Sequence, residues 1–357
     1  MIRKTRGAWL VAGCAAAWLL AAALPAAAQA PTTVRVGWCT SVLTNGVAPF
    51  AVATHFGWFE ELGIQVEVVN FGGSSDCVRN VATGEVLVAV PSVEPVAILS
   101  RTGVGTQVFY TAFRRNIFGI AVPADSPITR YEDLKGSQIG VTSMASNGVV
   151  IARSVAASAG LDPDNDIRIV VSGQPAQSVV LLQRDEIQAV SQWDTQYTLM
   201  ELAGLPMRMI EDELIASFPA NSMVALPATI ERQGDLLARL ARGYTMGAAF
   251  AIEDPRRAMQ IFQTVYPQVI PSGLDPQEAL DRGEAMLATV TTKWTLDGET
   301  ELWGESDLET YQTYLDWLLE AGILDGPVAA EDIVTNALIE EVNAGLDLEA
   351  VRTALAQ

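Results

Sequence analysis

Three short stretches of this chain gather hydroxyls, amides and carboxylates of the kind that bind small polar solutes. The first runs from Trp38, Cys39, Thr40 and Ser41 to Thr44 and Asn45. The second is Ser74, Ser75 and Asp76 behind two glycines, and the third is Ser143, Met144, Ala145, Ser146 and Asn147. Each lies just before a segment that reads as a helix, so hydroxyls and backbone N–H groups collect at a helix N-terminus, a setting that favours a carboxylate, sulfonate or similar anion. Any one of these loops is equally an ordinary helix cap. Convergence of three is what suggests a site. Ser92 and Glu94 follow one apolar run, and Gln192, Trp193 and Asp194 follow another. Trp193 can stack on a ligand ring or pack where two domains meet. Asp76, Glu94 and Asp194 suit an amine or cation, yet each can also cap a helix or pair with Arg79, Arg114 or Arg115. A ligand carrying both amine and acid would use both kinds of group, as would a pyrimidine.

Other chemistries are poorly supplied. The chain has one His and three Cys, which argues against a His-rich zinc site and a disulfide-dense scaffold. No metal or cofactor is expected. The single histidine, His55, lies among Val52, Phe56 and Phe59 on a helical pattern, and no Gly-x-Ser-x-Gly elbow is found to serve a nucleophilic hydrolase. Cys39 and Cys77 both sit in strand-end loops. In an oxidising compartment they can bond, and two buried free thiols are an equal reading, because their separation is not legible in sequence.

These loops need elements to hold them. Short β-branched runs alternate with helical segments, the pattern of parallel sheets with crossover helices. Strands are expected at 34–38, 64–71, 85–90 and 106–112, with helices at 48–62, 76–83 and 93–102 between them. A second unit opens near Phe118, with strands at 119–122, 138–141, 167–171, 187–190 and 207–210. Residues 223–226 form a last strand before a helical tail. There Leu237, Leu240, Ala241, Tyr244 and Ala248 recur at helical spacing, as do Leu308, Tyr311, Leu315, Leu318 and Leu319. Loops beyond the carboxyl ends of such strands are where open α/β sheets bind ligands.

Composition bounds the remainder. In 357 residues, 22 Lys and Arg face 42 Asp and Glu, for a net charge of −20; phosphate neutralisation needs clustered basic residues, so nucleic acid is excluded as a partner. The first 28 residues read as a secretory signal: Arg3, Lys4 and Arg6 precede an apolar stretch that ends in small residues. Cleavage after Ala28 removes those three positive charges, taking −20 to −23, and places the protein in the periplasm. Processing as a lipoprotein at Cys14 is the alternative.

Taken in order, these residues resemble a family. Val34–Gly37, Pro49 and Phe50, and 57–66 are similar to the opening of periplasmic substrate-binding proteins of ABC importers, in the nitrate/sulfonate/taurine and pyrimidine-precursor group (SsuA/THI5-like). Residues 72–76 with 81–86, 126–128 with 133–141, 317–322 and 335–351 resemble its later segments. Trp193 and Asp194 resemble a Trp-acid-Pro cleft motif, with Thr195 in place of the proline. The resemblance implies an α/β, two-lobed periplasmic-binding-protein fold of type II, each lobe a mostly parallel sheet with flanking helices, with a helical C-terminal tail. Lobe one would comprise 31–118 and 217–357, and lobe two 119–216. It also implies a monomer that closes like a Venus flytrap on a sulfonate, a taurine-like solute or another small anion, then delivers it to a membrane permease without catalysis. An aminopyrimidine or an aromatic carboxylate is the alternative ligand. Pyrimidine synthases of similar build use a cysteine cluster and a sacrificial histidine; His55 has no such cluster beside it.

Overall fold

The computed structural model describes residues 30–103, 105–296 and 302–357. The expected signal peptide and Cys14 lie outside the described residues. Strand β1 (Thr32–Trp38) leads through α1 (Ala48–His55) and α2 (Trp58–Glu61) to β2 (Ile64–Asn70), then α3 (Ser74–Ala82), β3 (Val88–Ala89), α4 (Val93–Ser100) and β4 (Gln107–Thr111). The chain then enters a second sheet: β5 (Phe118–Pro123), β6 (Gln138–Val141), α5 (Asn147–Ser158), β7 (Arg168–Val171), α6 (Pro175–Gln183), β8 (Ala189–Trp193), α7 (Asp194–Leu202) and β9 (Met207–Met209). After α8 (Glu213–Ser217) it returns to the first sheet as β10 (Ser222–Ala225).

The sheets are ordered β2-β1-β3-β10-β4 and β7-β6-β8-β5-β9. In the first, β1 runs parallel to β2 and β3, while β10 is antiparallel to β3 and β4. In the second, β6 runs parallel to β7 and β8, while β5 is antiparallel to β8 and β9. Both sheets therefore have one plan, four strands pointing one way and one reversed. The reversed strand is in each case the one that enters from the other sheet. Residues 112–117 and 216–221 carry the two crossings, and they pair with each other: the Phe113 N–H donates to the Asn221 carbonyl at 2.8 Å and the Ala220 N–H to the Phe113 carbonyl at 2.9 Å.

Three boundaries differ from expectation. The helix expected over 48–62 is broken at Gly57, whose φ of 77° lies in the left-handed region that glycine adopts without a Cβ penalty. The strand expected over 85–90 pairs regularly only at Val88–Ala89. The strand expected at 187–190 begins two residues later and extends through Trp193. Val190, Ser191 and Gln192 remain in register with β5, and that antiparallel partner is what prolongs it.

The tail expected to be helical is so. Helix α9 (Pro227–Glu253) packs on α1, with Leu237, Leu240, Ala241, Tyr244 and Ala248 buried. Helices α10 (Pro255–Val265) and α11 (Pro276–Thr291) follow, and α11 reaches across to pack on α7 of the second lobe. Helix α12 (Leu308–Glu320) packs on α4, burying Tyr311, Leu315 and Leu318. The edge of β4 is covered by a bridge from Val108 to Val334, which removes a free sheet edge.

Candidate functional site: a cleft between the lobes

The carboxyl ends of β1, β6 and β8 meet the two crossings around one cavity of about 150 Å³. From the first lobe come Trp38, Cys39, Thr40 and Ser41 after β1, with Ser74 at the start of α3. The second lobe supplies Ser143, Ser146 and Asn147 after β6, and Trp193 and Asp194 at the junction of β8 and α7. These ten, with Thr44, are residues singled out in the sequence that share one space. A disulfide joins Cys39 to Cys77 with Cα atoms 5.7 Å apart, tying the end of β1 to α3.

The other candidates lie elsewhere, most of them held by an identifiable contact. Asn45 donates its amide to the Gly283 carbonyl at 3.0 Å and so fastens the β1 loop to α11. Asp76 is turned to the surface, 3.7 Å from Arg79. Ser92 lies beneath Ser74, giving its N–H to the Ser74 hydroxyl at 3.2 Å. Met144 is 61% exposed. Gln192 faces away from the cavity and donates to Ser178 at 3.1 Å, as strand alternation requires once Trp193 faces in. His55 is exposed, edge-on to Phe56.

Ser75, Ala145 and Glu94 belong to contacts between the lobes. The Ser75 N–H approaches the Ala145 carbonyl at 3.5 Å, and the Ser143 hydroxyl donates to the Gly72 carbonyl at 2.7 Å. Asn147 donates its amide to Glu94 Oε1 at 2.6 Å, and the Tyr314 hydroxyl donates to the same oxygen. Burial pushes the Glu94 carboxyl up, against the opposing hydrogen bonds from Tyr314 and Asn147. The cleft is closed.

Sequence reasoning missed the crossings. Phe113, Ile117, Phe118 and Asn221 line the cavity, and a search confined to strand-end loops passes over them; the closely spaced Phe113 and Phe118 were the available signal. Val290, on α11, carries no local signal at all. Trp38, Phe113, Phe118 and Trp193 give the cavity an aromatic lining, with Phe118 edge-on to Trp193 at 6.3 Å.

The electrostatics depart from the anion cradle expected of three helix N-termini. No Lys, Arg or His is among the described residues lining the cavity. At α3, the Ala145 carbonyl of the opposite lobe stands over the first turn. At α5, the Ser146 hydroxyl accepts the Gly148 N–H at 3.1 Å, and before α1 the Asn45 amide is spent on Gly283. At α7, a helix start outside those three, Asp194 accepts the Thr195 N–H at 2.7 Å. A proline at position 195 would have no such donor. Burial raises the Asp194 carboxyl to about 6, with the charge of Lys293 and the Thr195 N–H pulling the other way.

Two sheets of one topology, joined by two paired crossings beside a cavity, define the fold class of the two-lobed periplasmic binding proteins. The chain belongs to the NMT1/THI5-like family, whose family model matches residues 44–258. It is 22% identical over 292 residues to the formylaminopyrimidine-binding protein of Halalkalibacterium halodurans, covering 81% of this chain and 86% of that one. Among solved structures, the alkanesulfonate-binding protein SsuA of Xanthomonas axonopodis pv. citri, bound to MOPS, superposes with a TM-score of 0.64 at 16% identity, covering 86% of this chain and 99% of that one. The periplasmic nitrate-binding protein NrtA of Synechocystis PCC 6803 superposes with a TM-score of 0.63 at 12% identity, covering 90% and 91%.

Proposed function

We propose that this protein is the ligand-capturing component of an ABC importer, a receptor that closes on a small organic solute in the periplasm and presents it to a membrane permease. The observation that carries this reading is the cavity between two lobes joined by paired crossings, in a family and fold whose relatives named above are binding proteins. A cavity of about 150 Å³ suits a solute of roughly benzene size, the scale known from cavities of that volume. No helix among the described residues is long and apolar enough to cross a membrane. The cavity residues serve capture, and no catalytic role is assigned to them.

The test is a thermal-shift and calorimetry panel of small solutes: sulfonates, taurine, nitrate, aromatic carboxylates, aminopyrimidines and organic cations. One class should raise the melting temperature and bind with one-to-one stoichiometry. No shift with any of them, together with turnover of one, would overturn the reading. Trp193 stands partly exposed at the cavity edge-on to Phe118, so Trp193→Ala should weaken binding roughly tenfold, an aromatic contact of ~1 kcal/mol or more. The melting temperature of the unliganded protein should stay nearly unchanged. Equal affinity in the variant would place the ligand elsewhere.

A further inference from the structure

We propose that the cleft is built for a small planar organic cation rich in N–H donors, of the guanidinium or amidinium type, held by Asn147, Asp194 and Asn221. The inference rests on the receptor reading above and concerns what that receptor takes. Asn147 is 2% exposed and Asn221 9%; both line the cavity with Asp194. In each of the three, the protein engages one polar atom and leaves the other without a protein partner. Asn221 donates its amide to the Val90 carbonyl at 2.8 Å, and since a carbonyl can only accept, the amide orientation is fixed. Asn147 spends its amide on Glu94. Asp194 uses one oxygen to accept the Thr195 N–H.

What remains is Oδ1 of Asn147, Oδ2 of Asp194 and Oδ1 of Asn221, each receiving no hydrogen bond from the protein and each covered from the cavity, so that a ligand reaches them only as these side chains shift around it. All three are acceptors, and one belongs to a carboxyl group. Buried polar atoms left this way call for a partner, and among the described residues lining the cavity these are the three. A sulfonate or nitrate would present further acceptors and negative charge to them, and no cationic side chain among the described lining residues would offset it. A ligand with one N–H would satisfy one oxygen of three. A guanidinium or amidinium group carries several N–H donors in one plane with a delocalised positive charge. It also suits the aromatic lining of Trp38, Phe113, Phe118 and Trp193, because ring faces attract cations. Lys293, whose charge acts on Asp194, is not among the lining residues.

The experiment is titration calorimetry on the mature protein at constant ionic strength, with guanidinium chloride at low millimolar concentration, acetamidine and benzamidine against taurine, methanesulfonate and sodium nitrate. At least one cation is expected to bind saturably at one-to-one stoichiometry, and the three anions to give no heat beyond dilution. Asp194→Asn, which keeps the shape and removes the charge, should weaken the cation about tenfold or more. Should that variant fold poorly, the selectivity of the unaltered protein decides alone. Binding of an anion with all three cations silent would overturn this inference and leave the receptor reading standing. Silence from all six would overturn the cation assignment and count against the receptor as well. Undiminished cation affinity in a folded Asp194→Asn protein would overturn the role of that carboxylate.

Discussion

Gly73→Ala should hold the two lobes apart and cost roughly a hundredfold in ligand affinity, while each lobe keeps its fold. Gly73 has an extended backbone, with φ 168° and ψ 178°, so alanine is acceptable there by itself. The added methyl group would meet the Ala145 carbonyl and the Ser146 nitrogen of the opposite lobe inside van der Waals contact. Backbone atoms cannot swing aside as a side chain can, and the clash exists only when the cleft is shut. An open receptor holds its ligand through one lobe. Losing about three hydrogen bonds of ~1 kcal/mol each gives the expected factor. Calorimetry reads the affinity, and small-angle scattering reads whether ligand still compacts the protein. Unaltered compaction in Gly73→Ala would mean that the lobes do not approach at this seam.

The second large effect concerns the bond between Cys39 and Cys77. These residues are 38 apart in sequence, and a cross-link of that span restricts the unfolded chain by an amount worth ~4 kcal/mol. Cys77 is fully buried and Cys39 lines the cavity, so the bond anchors the β1 loop against α3 as well as limiting the unfolded state. The Cys39→Ser, Cys77→Ser double variant should unfold at markedly lower denaturant concentration than the oxidised protein and bind its ligand more weakly. Oxidised protein treated with reductant should move toward the variant. Coincident unfolding curves for oxidised and reduced protein would show that the bond contributes little.

Much of the architecture was legible because alternating β-branched and helical runs encode it directly. The apolar stripes at 237–248 and 308–319 pack as cores, as their spacing required, and the second sheet opens at Phe118, as expected. What escaped sequence reasoning depends on contacts between distant residues. The extension of β8 to Trp193 comes from pairing with β5, and it turns Gln192 away from the cavity. The hydroxyls and amides before α1, α3 and α5 look like an anion cradle in sequence. In the fold, Asn45 is spent on the Gly283 carbonyl of α11, the Ala145 carbonyl from across the cleft meets the start of α3, and the Ser146 hydroxyl caps α5 within its own lobe. Asn221 enters the site from a crossing 74 residues beyond Asn147, a distance over which local pattern carries no information.

The global charge of −20 describes the surface and says little about the pocket, whose character is set by a few buried oxygens and four rings. The account stands or falls on capture of one small solute between the lobes. Native mass spectrometry of the protein isolated without denaturation from the organism that makes it tests this most directly. One small molecule per chain should appear as excess mass and be released on unfolding. Bare chain throughout, with no solute of the panel able to raise the melting temperature or compact the protein, would contradict it.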